Sequence, residues 1–170
     1  MATRIHMPLL LAALLFFASP GHAQAVKTSG IAADDVAAIV RLAEAGDEAW
    51  NEKDAVALSR LFTEDAHNWM VGSEMNLRGR EAIAAYFTAN FAQRGPGMRH
   101  RTVVKELQLV APGVVVADGE VFVERVAEGQ TPVVLRRFTM NSVAVNGPQG
   151  WRLRINRVHL QPAPVSAAQP

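Results

Sequence analysis

From Met98 onward the sequence is strand-like almost without interruption, and the breaks in it are short. The runs are Met98–Val110, Val114–Val126, Pro132–Val145 and Trp151–Leu160. Between them stand Ala111-Pro112-Gly113, Ala127-Glu128-Gly129-Gln130 and Asn146-Gly147-Pro148-Gln149-Gly150. Each run is rich in β-branched residues and each break carries glycine, the usual punctuation of strands. Parallel neighbours need a crossover of a dozen or more residues, so breaks this short leave only an antiparallel meander.

The segment before the meander reads differently. Val36, Ile39, Val40, Ala43, Gly46 and Trp50 recur at spacings of three and four, which predicts a helix from Ile31 to about Asn51. Asp34 and Asp35 lie in its first turn, where the helix dipole favours acids. Asn51-Glu52-Lys53-Asp54 breaks it, and Asp54 is a good N-cap for a second helix, Ala55–Phe62. Alternation starts at Ala66 and turns at Gly72-Ser73, with Met75–Arg78 as a short return strand. Gly79 admits a third helix, Arg80 to about Gln93, which Gly95-Pro96-Gly97 stops. Helices first and a sheet after them give an α+β fold: a cone-shaped, curved antiparallel sheet with three helices packed on its concave face. The inside of such a curl is an apolar pocket.

The N-terminus reads as an address. Arg4, the apolar run Pro8–Ala18 and the breaker Ser19-Pro20-Gly21 make a signal peptide over residues 1–23. Small residues at −3 and −1 allow cleavage before Gln24 or before Val26. The mature protein is therefore expected in the periplasm or outside the cell, with no membrane association after cleavage. Residues 24–32 read as a linker, 33–160 as the domain and 161–170, with three prolines, as a disordered tail. With 17 Lys+Arg against 16 Asp+Glu the net charge is +1, which does not suit nucleic-acid binding. Cysteine is absent, so disulfides, thiolate nucleophiles and Cys-ligated metals are excluded. No nucleotide-binding, zinc-protease or serine-hydrolase motif occurs, and neither a cofactor nor a metal is expected.

Several phrases carry a family likeness: Ala49-Trp50-Asn51-Glu52-Lys53-Asp54, Leu61-Phe62-Thr63-Glu64-Asp65-Ala66, Arg78-Gly79-Arg80-Glu81-Ala82-Ile83 and Gly150-Trp151-Arg152-Leu153. With the order of elements, they resemble the SnoaL-like and SgcJ/EcaC-type domains of the nuclear transport factor 2-like superfamily, over residues 33–160. The resemblance implies the cone fold. It also implies a choice of roles, because that superfamily holds isomerases, cyclases, dehydratases, epoxide hydrolases and non-catalytic binding modules. Relatives commonly dimerise through the outer face of the sheet. A homodimer is expected here too, since apolar residues occupy both faces of the second long run.

In family members that are enzymes, an Asp, Glu or His in the cone transfers protons, its pKa tuned by burial. Leaving aside the leader, the histidines are His67, His100 and His159, each on a strand. His67 shares a face with Trp69; Asn68 and Met70 point the other way. Trp151, Leu153 and Ile155 form an inward set that Arg157 and His159 continue, provided no bulge intervenes. His67 and His159 are thus the candidate catalytic bases if the protein is an enzyme. Arg157 beside His159 would keep the imidazole neutral. Trp69, Arg157, His100 and Glu120 are the expected pocket-lining groups. The simplest reading of the alternation, however, is that Asp118, Glu120, Phe122 and Glu124 share one face toward water or a partner while Val115, Ala117 and Val121 face the core, and an inward Glu120 is the exception to it. The leading reading is an exported protein binding a small hydrophobic or anionic molecule. An isomerase, cyclase or dehydratase working by general acid–base transfer is the alternative, and a protein-interaction module the third. A histidine in the cone bonded to a second polar group would favour the enzyme.

Overall fold

The computed structural model describes residues 25–162; the expected leader and residues 163–170 of the expected tail lie outside it. Three helices, α1 (Ala33–Asn51), α2 (Ala55–Arg60) and α3 (Arg80–Gln93), accompany one seven-stranded sheet. The strands are β1 (Lys27–Ser29), β2 (Phe62–Val71), β3 (Asn76–Arg78), β4 (Met98–Ala111), β5 (Val114–Arg125), β6 (Val133–Gly147) and β7 (Gly150–Leu160). Their order in the sheet is β1-β4-β5-β6-β7-β2-β3, so the sheet is curved but not closed.

The meander β4-β5-β6-β7 is antiparallel throughout, as its short turns require. The sheet as a whole is mixed, not antiparallel. β2 pairs with β7 in parallel, and β1 with β4 in parallel. Both partners are distant in sequence and separated by helices, so the rule that forces antiparallel pairing across tight turns does not apply to them. β1 lies in the segment read as linker; its three residues are exposed, and nothing in their hydrophobic pattern marks a strand. β2 also starts earlier than Ala66, because Phe62 ends buried on the sheet and the half-buried Thr63 with the exposed Glu64-Asp65 hides the alternation.

Asp54 caps α2 as expected, its carboxylate accepting from the Ala57 N–H at 2.8 Å. Gly79 enters α3 at φ 85°, a conformation costly for any residue with a side chain. Ile39 and Leu42 of α1 pack on Leu107, Val115, Ala117, Ala144 and Trp151, the main core. Asp35 fixes the start of α1 on the last strand by accepting from the Trp151 indole N–H at 2.9 Å. Arg80 ties α3 to β2 by donating twice to the Phe62 carbonyl.

Candidate functional site

Between the helices and one face of the sheet lies a cavity of about 600 Å³, within the range usual for small-molecule sites. Ile39, Leu42, Trp50, Leu58, Tyr86 and Phe87 supply its helical wall, and Val104, Ala117, Val121, Phe138, Met140 and Val158 its sheet wall. Besides Asn90 and Gln93 of α3, three groups of polar residues interrupt this apolar lining.

The first is centred on His100. Its Nδ1 is 2.7 Å from Asp47 Oδ1, and both side chains are about one-fifth exposed. Asp47 also accepts from the backbone N–H and the hydroxyl of Thr102, both at 2.7 Å. Burial opposes ionisation of Asp47, but the bond and charge of His100 and the two Thr102 donors outweigh it, so its carboxyl sits below the ordinary value. The imidazole rests on Trp50, ring centroids 5.1 Å apart. Asn51 braces the His100 backbone from both sides, accepting from its N–H at 2.7 Å and donating to its carbonyl at 3.1 Å. With Nδ1 held by Asp47, Nε2 is the ring nitrogen left for a molecule in the cavity.

The second group crosses three neighbouring strands. Ser142 donates to Asn156 Oδ1 at 2.7 Å, and Asn156 Nδ2 donates to Asn68 Oδ1 at 3.0 Å. Asn68 and Ser142 are buried, and all three line the cavity. The third group is cationic: Arg94, Arg125 and Arg136. Among the described residues no aspartate or glutamate lines the cavity.

His67, Trp69, Arg157 and His159 are not among the lining residues; their strand neighbours Asn68, Met70, Asn156 and Val158 are. For Arg157 and His159 the cause is a bulge; for His67 the cause is that its neighbour Trp69, expected to face the core, packs on the opposite face with it. Between Leu153 and Ile155 the β6–β7 register slips, with Ala144 opposite Leu153 and Val143 opposite Ile155. Arg154 is the extra residue, so Trp151 and Leu153 point to the core while Ile155, Arg157 and His159 point away from it. Trp69 and His67 lie opposite Arg157 and Ile155 in register and share their face. There His67 stacks on Trp69 at 6.0 Å and bonds Asn76 at 2.6 Å, and Arg157 lies 5.9 Å from the Trp69 ring. Glu120 is also on that face, ion-paired to Lys105 at 2.6 Å and to Arg137, beside a shallower depression of about 330 Å³. Of the expected lining groups, His100 is the one that reaches the cavity.

Asp47, Asn68, Ser142, Asn156, Arg94 and Arg125 are not marked as site residues by the sequence, whereas Arg136 belongs to a set of strand arginines that suits an anionic ligand. Of the unmarked residues Asp47 alone carries a signal: it is an acid four residues after Ala43 and three before Trp50, on the apolar side of a helix. The asparagines and the serine look like any polar residue in an alternating strand.

Residues 43–158 match the SnoaL-like domain. The chain belongs to the SnoaL-like domain family. The matched stretch of this SnoaL-like protein runs from the middle of α1 to the end of β7 and so contains the His100 cluster, the Asn68 row and the arginines. No curated protein matches it. Among solved structures, a nuclear transport factor 2-like protein with a cystatin-like fold from Novosphingobium aromaticivorans is 26% identical, with a TM-score of 0.63 over 79% of this chain and 86% of that one. A cystatin-like domain of unknown function from Nostoc punctiforme is 21% identical, with a TM-score of 0.67 over 78% and 81%. A protein from Catenulispora acidiphila, solved in complex with S-DNPA, is 19% identical, with a TM-score of 0.62 over 76% and 95%. The last two establish likeness of fold alone.

Proposed function

We propose that this SnoaL-like protein binds a small, largely apolar molecule in the cavity between its helices and its sheet. The observation that carries the reading is the cavity itself: about 600 Å³ with mostly aliphatic and aromatic walls. An unfilled space of that size forfeits packing, and cores without a ligand role are close-packed. The neutral dye Nile red should bind with one-to-one stoichiometry and a blue-shifted emission. Val121→Trp, which fills the sheet wall, should abolish the binding while leaving the circular dichroism spectrum unchanged. Unaltered binding by that variant would contradict the reading.

A second reading, proton transfer on the bound molecule, is favoured by one arrangement: a histidine on the cavity wall whose Nδ1 is fixed by a carboxylate. That carboxylate is itself fixed by Thr102. Nε2 would take a proton from an acidic C–H or O–H and return it elsewhere, with the Asn68 row donating to a carbonyl oxygen. His100→Gln should then lower turnover about 10²- to 10⁴-fold and leave Nile red affinity within a few-fold. Equal activity in both forms would exclude His100 as the base.

The leader over residues 1–23 supports export. N-terminal sequencing of the mature protein should begin at Gln24 or Val26, and a start at Met1 would refute it.

A further inference from the structure

Arg94 is the least satisfied cation in the described chain. Its Nε and Nη1 are buried and have no hydrogen-bond partner. Its one bond runs from Nη2 to the Asn51 carbonyl, at a long 3.3 Å. The guanidinium carbon lies over Trp50, 3.7 Å from the ring centroid, and 4.7 Å from that of Phe91. A buried guanidinium normally finds a carboxylate or carbonyl, because its donors come in a fixed fork that is costly to leave empty. Carboxylates take up several of the more exposed cations: Glu124 takes Arg99 and Arg101, Glu120 takes Arg137 and Lys105, and Asp65 takes Arg154; Arg152 Nε is the other buried guanidinium nitrogen without a partner among the described residues. Arg94, Arg125 and Arg136 have no such partner among the described residues, all three line the cavity, and no acid lines it with them. Loss of hydration also pulls the Arg94 pKa below its ordinary value.

We infer that the molecule taken up by the cavity carries a carboxylate, gripped through two oxygens by Arg94, with Arg125 and Arg136 supplying further positive charge. The ligand class is then an apolar monocarboxylic acid, its aromatic or aliphatic body against the sheet wall and its acid group at the guanidinium on Trp50. Trp50 and Phe91 pack against the fork and shield it from water on that side, which strengthens a charged pair. This inference rests on the cavity reading above, and the experiment separates the two.

The test is isothermal titration of the full mature protein with matched pairs of carboxylic acids and their primary amides. The bodies run from phenylacetic through 1-naphthylacetic to decanoic acid. For pairs that bind, the acid should bind at least tenfold tighter than the amide, and the margin should shrink as salt is raised. Arg94→Gln should bring acid and amide to within twofold, and Arg94→Lys should restore part of the gap. If Arg94→Gln fails to fold, the acid-to-amide ratio in the unaltered protein and in Arg125→Gln/Arg136→Gln decides. Amides binding as tightly as acids would overturn the carboxylate inference and leave the cavity reading standing. Binding of neither member of any pair would overturn both.

Discussion

Glu124 is 3% exposed, yet it lies on the sheet face away from the cavity. What covers it is the pair of guanidiniums from Arg99 and Arg101, which donate at 2.6–2.9 Å and 3.0–3.2 Å. Alternation along β5 puts Glu124 on this face, where an acid is expected to meet water or a partner. Long cross-strand arginines can bury a carboxylate on an otherwise exposed face, and no periodicity announces it. Burial opposes the charge on Glu124, but the bonds and charges of the two arginines overcome it, so its pKa falls. That of Glu120 falls chiefly through hydrogen bonds from Lys105 and Arg137, and that of Asp47 falls as described. A carboxylate depressed in the folded state stabilises the fold at any pH above its unfolded pKa. That contribution is lost as pH falls through the folded value. Urea midpoints should therefore hold steady at neutral pH and drop once pH falls below the ordinary carboxylate range. Glu124→Gln should be less stable near neutrality and show a shallower acid limb. An acid limb identical to that of the unaltered protein would show that Glu124 contributes nothing to it.

At the scale of elements, tight turns were the legible signals and bulges the illegible ones. Three short breaks were enough to specify the β4–β7 meander, and Asp54 and Gly79 marked the starts of α2 and α3. The single extra residue at Arg154 reversed every side chain after it, and with that the placement of Arg157 and His159. Nothing in Arg152-Leu153-Arg154-Ile155 distinguishes a bulge from regular alternation; pairing with β6 on one side and β2 on the other decides it. A second irregularity, between Val104 and Glu106 of β4, sits against Gly119 of β5. A Cβ at Gly119 would come within 2.5 Å of the Val103 carbonyl oxygen and 3.2 Å of Met140 Cε. The close approach lets the sheet bend where the cavity needs its wall. Gly119→Val should thus cost about 1–3 kcal/mol, read from the urea midpoint, and weaken Nile red binding. Full stability in that variant would mean the strands separate there freely.

For the whole molecule, the two faces of the sheet have different work. One face closes the cavity. The other carries His67 on Trp69, Phe122 beneath Arg101 at 4.3 Å, and the ion pairs of Glu120 and Glu124. This second face is where we expect two copies to meet, and sedimentation equilibrium at micromolar concentration should give twice the monomer mass. Phe122→Glu, which adds an acid beside Glu120 and Glu124, should return the monomer; a monomer in the unaltered protein would rule the dimer out. Among the described residues no helix is long and apolar enough to cross a membrane, and no cluster of three or more His, Asp or Glu could hold a metal ion. The central claim is that ligands enter the cavity and not the opposite face, and side chains alternating along the same strands can report it. Methyl NMR during titration with 1-naphthylacetic acid measures this directly. The account predicts shifts for Val121, Met140 and Val158, which line the cavity, and none for Val116, Val143 and Ile155, which do not. Shifts confined to the second set would place the ligand on the wrong side of the sheet and contradict it.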